Sequence, residues 1–91
     1  MKLRFTAYAI ADLIKISDRI RAHNPAASRR VRAVIYDSLQ NLILFPQVGR
    51  KQKVEGVRKF ATRKYAYLVY YTVDEVLNVK HPARWREHED S

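Results

Sequence analysis

Residues 58–71 set cations beside aromatic rings: Arg58, Arg63 and Lys64, then Tyr65, Tyr67, Tyr70 and Tyr71. That pairing suits anionic, ring-bearing ligands, because phosphates meet Lys and Arg while bases stack on aromatic faces. Tyrosine is also a favoured strand residue, with a half-buried ring and a hydroxyl at the rim, so each ring has a purely structural use as well. A second cluster lies in Lys80-His81-Pro82-Ala83-Arg84-Trp85-Arg86, with two arginines, a histidine and the single tryptophan. Functional side chains often gather at such loop ends. Trp85 is equally suited to closing an open end of the core.

Catalytic signatures are missing. The sequence has no Gly-rich phosphate loop, no G-x-S-x-G and no histidine pair at metal-ligand spacing. His23, His81 and His88 stand far apart, and the chain has no cysteine, which excludes a disulfide frame and a Cys-based zinc site. No nucleophile–base pair stands out. These observations speak against standard hydrolase or redox chemistry and call for no cofactor or metal.

Charge adds a partner class. Residues 29–64 hold ten Lys or Arg against Asp37 and Glu55, and so carry +8 of the net +9. Charge this concentrated points to an anionic partner: nucleic acid, a ribosome or an acidic protein segment. A solvated basic face with no specific partner is the alternative. Three of the cations, Arg29, Arg30 and Arg32, fall near the start of an expected helix, where the dipole disfavours them by a few tenths of a kcal/mol each.

The elements that position these groups follow from periodicity. Leu3 and Phe5 alternate with polar neighbours, so Lys2 to Phe5 reads as a short strand. Thr6 can cap a helix whose stripe is Ala9, Leu13, Ile16 and Ile20, widened by Ile10 and Ile14. Asn24-Pro25 stops that helix and starts another. The second helix buries Ala27, Val31, Val34, Ile35, Leu39, Leu42 and Ile43, and Phe45-Pro46 ends it. Helices joined so tightly form an antiparallel hairpin.

Beyond Gln47 the texture changes to a basic loop at Gly49–Lys53 and strands over Val57–Thr62, Tyr65–Val73 and Val76–His81. The middle one is β-branched and aromatic on both faces, as a covered central strand would be. The order β-α-α-β-β-β predicts an α+β domain in which the helical hairpin packs on a mainly antiparallel sheet. Ninety-one residues with a 47% hydrophobic fraction make one domain, 1–91. No stretch reaches the ~18 apolar residues of a membrane span and no signal-peptide run follows Met1, so a cytoplasmic location is expected.

The whole pattern resembles the RelE/ParE superfamily of type II toxin–antitoxin toxins over residues 3 to about 86. The matching pieces are Ala7 to Leu13, Asn24-Pro25-Ala26-Ala27, Leu42 through Pro46 to Gly49-Arg50, Val57-Arg58, Tyr67 to Tyr71, and Val79-Lys80-His81. RelE-like members cut messenger RNA in the ribosome with basic residues on the sheet. Here Arg58 matches one such position, whereas Phe60 and Tyr67 stand where further cations would lie. A phosphorane-like transition state needs those donors. The chain therefore looks more like ParE, whose members poison DNA gyrase by binding and need no catalytic residue.

The resemblance implies target contact through Arg84 and Arg86, with Arg58 next. It also implies a cognate ParD-like antitoxin whose extended acidic and apolar segment meets Arg29, Arg30, Arg32, Lys51, Lys53, Arg63 and Lys64. The alternatives are a RelE-like ribosome-dependent endoribonuclease acting through Arg58, and a plain nucleic-acid-binding module.

Overall fold

Thr6 sets the start of the first helix and ties it to the last strand. In the computed structural model, which describes residues 3–62 and 64–81, its hydroxyl accepts the Ala9 N–H at 3.0 Å. The same hydroxyl donates to the Leu77 carbonyl at 2.6 Å. Helix α1 runs Ala7–Arg21. Asn24 caps the next helix through the Ala27 N–H at 3.1 Å, and Pro25 supplies its first turn, as a ring with fixed φ and no N–H suits. Helix α2 spans Pro25–Leu44. The hairpin closes on small residues: the Ser28 hydroxyl donates to the Ser17 carbonyl at 3.1 Å and lies 3.1 Å from the Ser17 hydroxyl.

Four strands follow: β1 Arg50–Lys51, β2 Arg58–Ala61, β3 Leu68–Tyr71 and β4 Val76–Lys80. They form one antiparallel sheet in the order β1-β2-β3-β4. Register places Val69 between Phe60 and Val79, and Tyr71 between Arg58 and Val76. These rows face the helices. The core joins Val69, Tyr71, Val76 and Val79 to Ala9, Val31, Ile35, Leu39 and Leu42. The α+β arrangement is the expected one.

Local differences have physical causes. The expected first strand shrinks to a single parallel bridge, Phe5 to Val76, because Thr6 turns the chain into α1 at once. Two bonds hold it, Val76 N–H to the Arg4 carbonyl at 2.7 Å and Thr6 N–H to the Val76 carbonyl at 3.0 Å. The basic loop at 49–53 contains β1. The strand expected from Tyr65 begins only at Leu68, since Tyr65 and Ala66 adopt φ of 68° and 53°. Left-handed backbone costs a side-chain-bearing residue roughly 1–2 kcal/mol. Thr62 secures the turn by accepting the Tyr67 N–H at 3.0 Å and donating to the Lys64 carbonyl at 2.7 Å. Ile10 and Ile14, expected to widen the buried stripe, are exposed, because α1 meets α2 and β4 on two flanks and leaves its third side open.

The outer edge of β4 is closed by α1. Asp12 Oδ2 accepts the Val79 N–H at 3.0 Å and lies 3.6 Å from Lys80 Nζ. An unpaired strand edge invites pairing with another chain, and this carboxylate removes the donor that such pairing would use. Asp12→Ala is expected to lower unfolding free energy by about 1–3 kcal/mol, as loss of an acceptor for a buried donor does. Urea denaturation read by circular dichroism checks this, and an unchanged midpoint would show that the edge is closed by other means.

The connection from α2 to β1 is pinned from below. The buried Tyr71 hydroxyl accepts the Gly49 N–H at 2.9 Å and donates to the Pro46 carbonyl at 2.9 Å. A Cβ on Gly49 would meet that hydroxyl at 2.7 Å and the Lys59 carbonyl at 2.9 Å, so the glycine is required for space. Gly49→Ala should destabilise by about 1–3 kcal/mol through overpacking, and Tyr71→Phe by a similar amount through two lost bonds. In a domain this size each kcal/mol moves the melting temperature about 4–8 °C. Calorimetry on the two variants checks both values.

Candidate binding surfaces

Groups expected to act together are distributed over several surfaces. Arg29, Arg30 and Arg32 lie exposed in the first turns of α2. Arg29 and Arg32 line a groove of about 740 Å³ between the helices, and Arg30 does not. Arg21 adds a third guanidinium from α1, held near Asp18 by an exposed ion pair. Leu13, Ile35 and Leu39 provide apolar walls, and the exposed Ile14 and Tyr36 extend them. The groove thus has a basic mouth near the α1–α2 turn and an apolar length beyond it. Helix α2 starts at Pro25, so Arg29 and Arg32 stand beyond its first turn, and with Arg21 they form that mouth.

Lys51 and Lys53 are exposed on β1 and the turn that follows it. Lys64 is exposed too, with its ammonium 5.5 Å from the centroid of the Tyr65 ring. Arg58 is different. It is half-buried on the helix-facing side of β2, and its guanidinium donates to the Gly49 carbonyl at 2.8 Å and the Gln47 carbonyl at 3.2 Å. One nitrogen of its guanidinium therefore holds a loop. Arg63, Arg84 and Arg86, like Trp85, lie outside the described residues.

The two RelE-type positions lacking a cation are occupied by packed rings. Phe60 meets Tyr71 edge to face at 6.0 Å. Tyr67 is buried and meets His81 edge to face at 5.5 Å. Burial pushes the Tyr67 hydroxyl above the ordinary phenol pKa, Tyr65 nearby adds to the shift, and Arg19 opposes it. Tyr70 lies on the opposite face, with Lys59 Nζ 6.0 Å from its ring centre, and burial raises its pKa as well. Both phenols are neutral at physiological pH and can donate hydrogen bonds.

A smaller groove of about 450 Å³ flanks α1 on its β4 side, lined by Asp12, Lys15, Arg19, Tyr67, Lys80 and His81 among others. Among the described residues no three His, Cys, Asp or Glu side chains converge to hold a metal ion, and no helix is long and apolar enough to cross a membrane. The sequence reading does not mark Tyr36 or Asp12, puts Ile14 in a buried stripe and gives Gly49 only a place in the basic loop. Only the arginines of α2 signalled the groove beforehand.

Comparison with known proteins agrees with this architecture. A solved structure described as the chromosomal ParDE TA system from P. aeruginosa has the same fold. Its TM-score is 0.77 at 23% identity, over 89% of this chain and 95% of that one. No curated protein matches. The family model described as the ParE toxin of the type II toxin–antitoxin system, parDE, matches residues 3–84. The chain belongs to the ParE toxin family of type II toxin–antitoxin systems.

Proposed function

We propose that this chain is a cytoplasmic toxin that stops growth by binding and inhibiting DNA gyrase, and that a cognate antitoxin neutralises it through the groove between α1 and α2. Family membership supports the toxin role. The observation that carries the inhibitor reading over the ribonuclease reading is the fate of the three RelE-type positions. Phe60 and Tyr67 pack against neighbouring rings, and Arg58 turns its Nη1 to the Gln47 and Gly49 carbonyls. Two of the three positions therefore carry no cation and the third is partly committed to a loop, so the charge of an RNA-cleavage transition state would be poorly met there. Binding inhibition makes no such demand. Arg84 and Arg86 remain the proposed target contacts on the strength of the family resemblance.

The antitoxin segment follows from the groove. Apolar side chains fill the length between Ile35, Leu39 and Leu13, and carboxylates meet Arg21, Arg29 and Arg32 at the mouth. The apolar contacts hold the complex, and the charges set its direction and speed its formation. The cations at Lys51, Lys53, Arg63 and Lys64 add long-range attraction for an acidic chain.

Pulse-labelling after induction without antitoxin tests the target. Thymidine incorporation is expected to fall within minutes while methionine incorporation holds; the opposite order would establish translation as the target. The double variant Arg29→Glu with Arg32→Glu tests the groove. Both side chains are exposed on α2, so its melting temperature should stay close to that of the wild type. Its affinity for the antitoxin, measured by calorimetric titration, should drop by about tenfold or more, equivalent to about 1.4 kcal/mol. Unchanged affinity in a folded double variant would move the antitoxin elsewhere.

A further inference from the structure

The smaller groove, between α1 and β4, has a floor that the fold leaves chemically incomplete. Tyr67 is only 5% exposed, and its ring is braced edge to face against His81. Its hydroxyl has no hydrogen-bond partner among the described residues, whereas every fully enclosed side-chain polar atom among them is paired. The hydroxyl is therefore not sealed in, and the groove that Tyr67 lines is where it opens. Buried polar groups are paired as a rule. A phenol left over at a groove floor is thus a donor held in place for an occupant.

Two cations stand at its rim. Lys15 and Arg19 are exposed, line the groove and lie four positions apart on α1, a spacing that puts them side by side on one helix face. Among the described residues no carboxylate pairs with either. Like charges at this spacing weaken a helix, and an anion seated between them reverses that. Arg19 is close enough to the phenol to oppose the effect of burial on its pKa. The two carboxylates of the lining are already engaged, Asp12 with Lys80 and the Val79 N–H, and Asp18 with Arg21. What remains is positive charge around a neutral donor.

These donors come from a helix and from a sheet, so they do not share a plane. A carboxylate accepts mainly in its own plane, whereas a phosphate group offers oxygens in three directions. We propose that the α1–β4 groove is a phosphate-binding site in which Lys15 and Arg19 supply the charge and the Tyr67 hydroxyl supplies the orienting hydrogen bond. Two sources share that chemistry, a nucleic-acid backbone and a free phosphate. The proposal does not rest on the gyrase reading, because such binding is a property of the isolated chain. It gives Tyr67 a use that its packing against His81 leaves open.

The test uses the full chain and two probes, inorganic phosphate followed by NMR and a fluorescein-labelled decathymidylate followed by anisotropy. Lys15→Gln with Arg19→Gln should weaken binding about tenfold or more, since two phosphate contacts are lost. Tyr67→Phe should weaken it about fivefold, the size of one hydrogen bond. Because that hydroxyl has no protein partner, the melting temperature of Tyr67→Phe should equal or exceed that of the wild type; a purely structural hydroxyl would give the reverse. Arg4→Gln with Arg50→Gln removes the same charge from exposed positions outside the groove and should change binding little. Equal weakening by that control pair would show that binding follows net charge, which overturns the proposal. So would binding of neither probe, binding unchanged in the groove variants, or an acidic hexapeptide that binds where neither probe does. Decathymidylate bound without inorganic phosphate assigns the site to nucleic acid, and the opposite result assigns it to a free phosphate. If an oligoribonucleotide bound there is cut, the site stands and the inhibitor reading falls instead.

Discussion

Tyr71 carries its phenol through the sheet's helix-facing side to the underside of the α2–β1 connection, and there it both gives and receives a hydrogen bond. A buried hydroxyl satisfied in both roles is worth more than its two bonds, because removing it would leave a backbone donor and a backbone acceptor unpaired away from water. The arrangement needs a residue without a side chain at Gly49, since the hydroxyl occupies the place of a Cβ. It also needs Phe60 against the ring edge and Val76 opposite in register. From this one contact the position of the α2 terminus, the start of β1 and the layer of core between them are all fixed.

The other end of the fold relies on α1 in a comparable way. Thr6 and Asp12, one turn and a half apart, each spend a side chain on β4. The helix thereby acts as a neighbour of an edge strand, and among the described residues the sheet's other edge is β1. β1 is two residues long and cationic, and Gln52 donates to its Arg50 and Lys51 carbonyls at 3.0 and 3.2 Å. Short length and positive charge are both ways of discouraging an edge from pairing with a like chain.

How much of this was legible in the residues depended on the range of the interaction. Thr6, Asn24 and Pro25 act on neighbours three or four positions away, so caps and helix bounds could be read from local chemistry. The apolar face of α2 was equally clear from its period. Ile10 and Ile14 are exposed despite fitting the period, because periodicity marks a stripe without saying how many neighbours cover it. Tyr65 was placed in a strand on its intrinsic preference, and the need to close a hairpin between Thr62 and Tyr67 overrode that preference. Of the three α2 arginines that stand out in the sequence, Arg29 and Arg32 line the α1–α2 groove and Arg30 does not. The Tyr71 pin spans 22 residues to Gly49 and 25 to Pro46; a tyrosine among tyrosines gave no sign of it.

The placement of Arg58 shows why residue type alone misleads in a basic protein. Ten cations crowd residues 29–64, and a reading by composition treats them as one electrostatic surface. The fold divides them by what their donors can reach. Arg29 and Arg32 stay at a groove mouth, Lys51 and Lys53 at a sheet edge, and Lys64 beside an aromatic ring. Arg58, on the inward row of β2, finds two backbone carbonyls first. Through Nη1 it ties the α2–β1 connection to β2. Position on the sheet, rather than residue type, thus decides which of these cations faces solvent and which holds backbone.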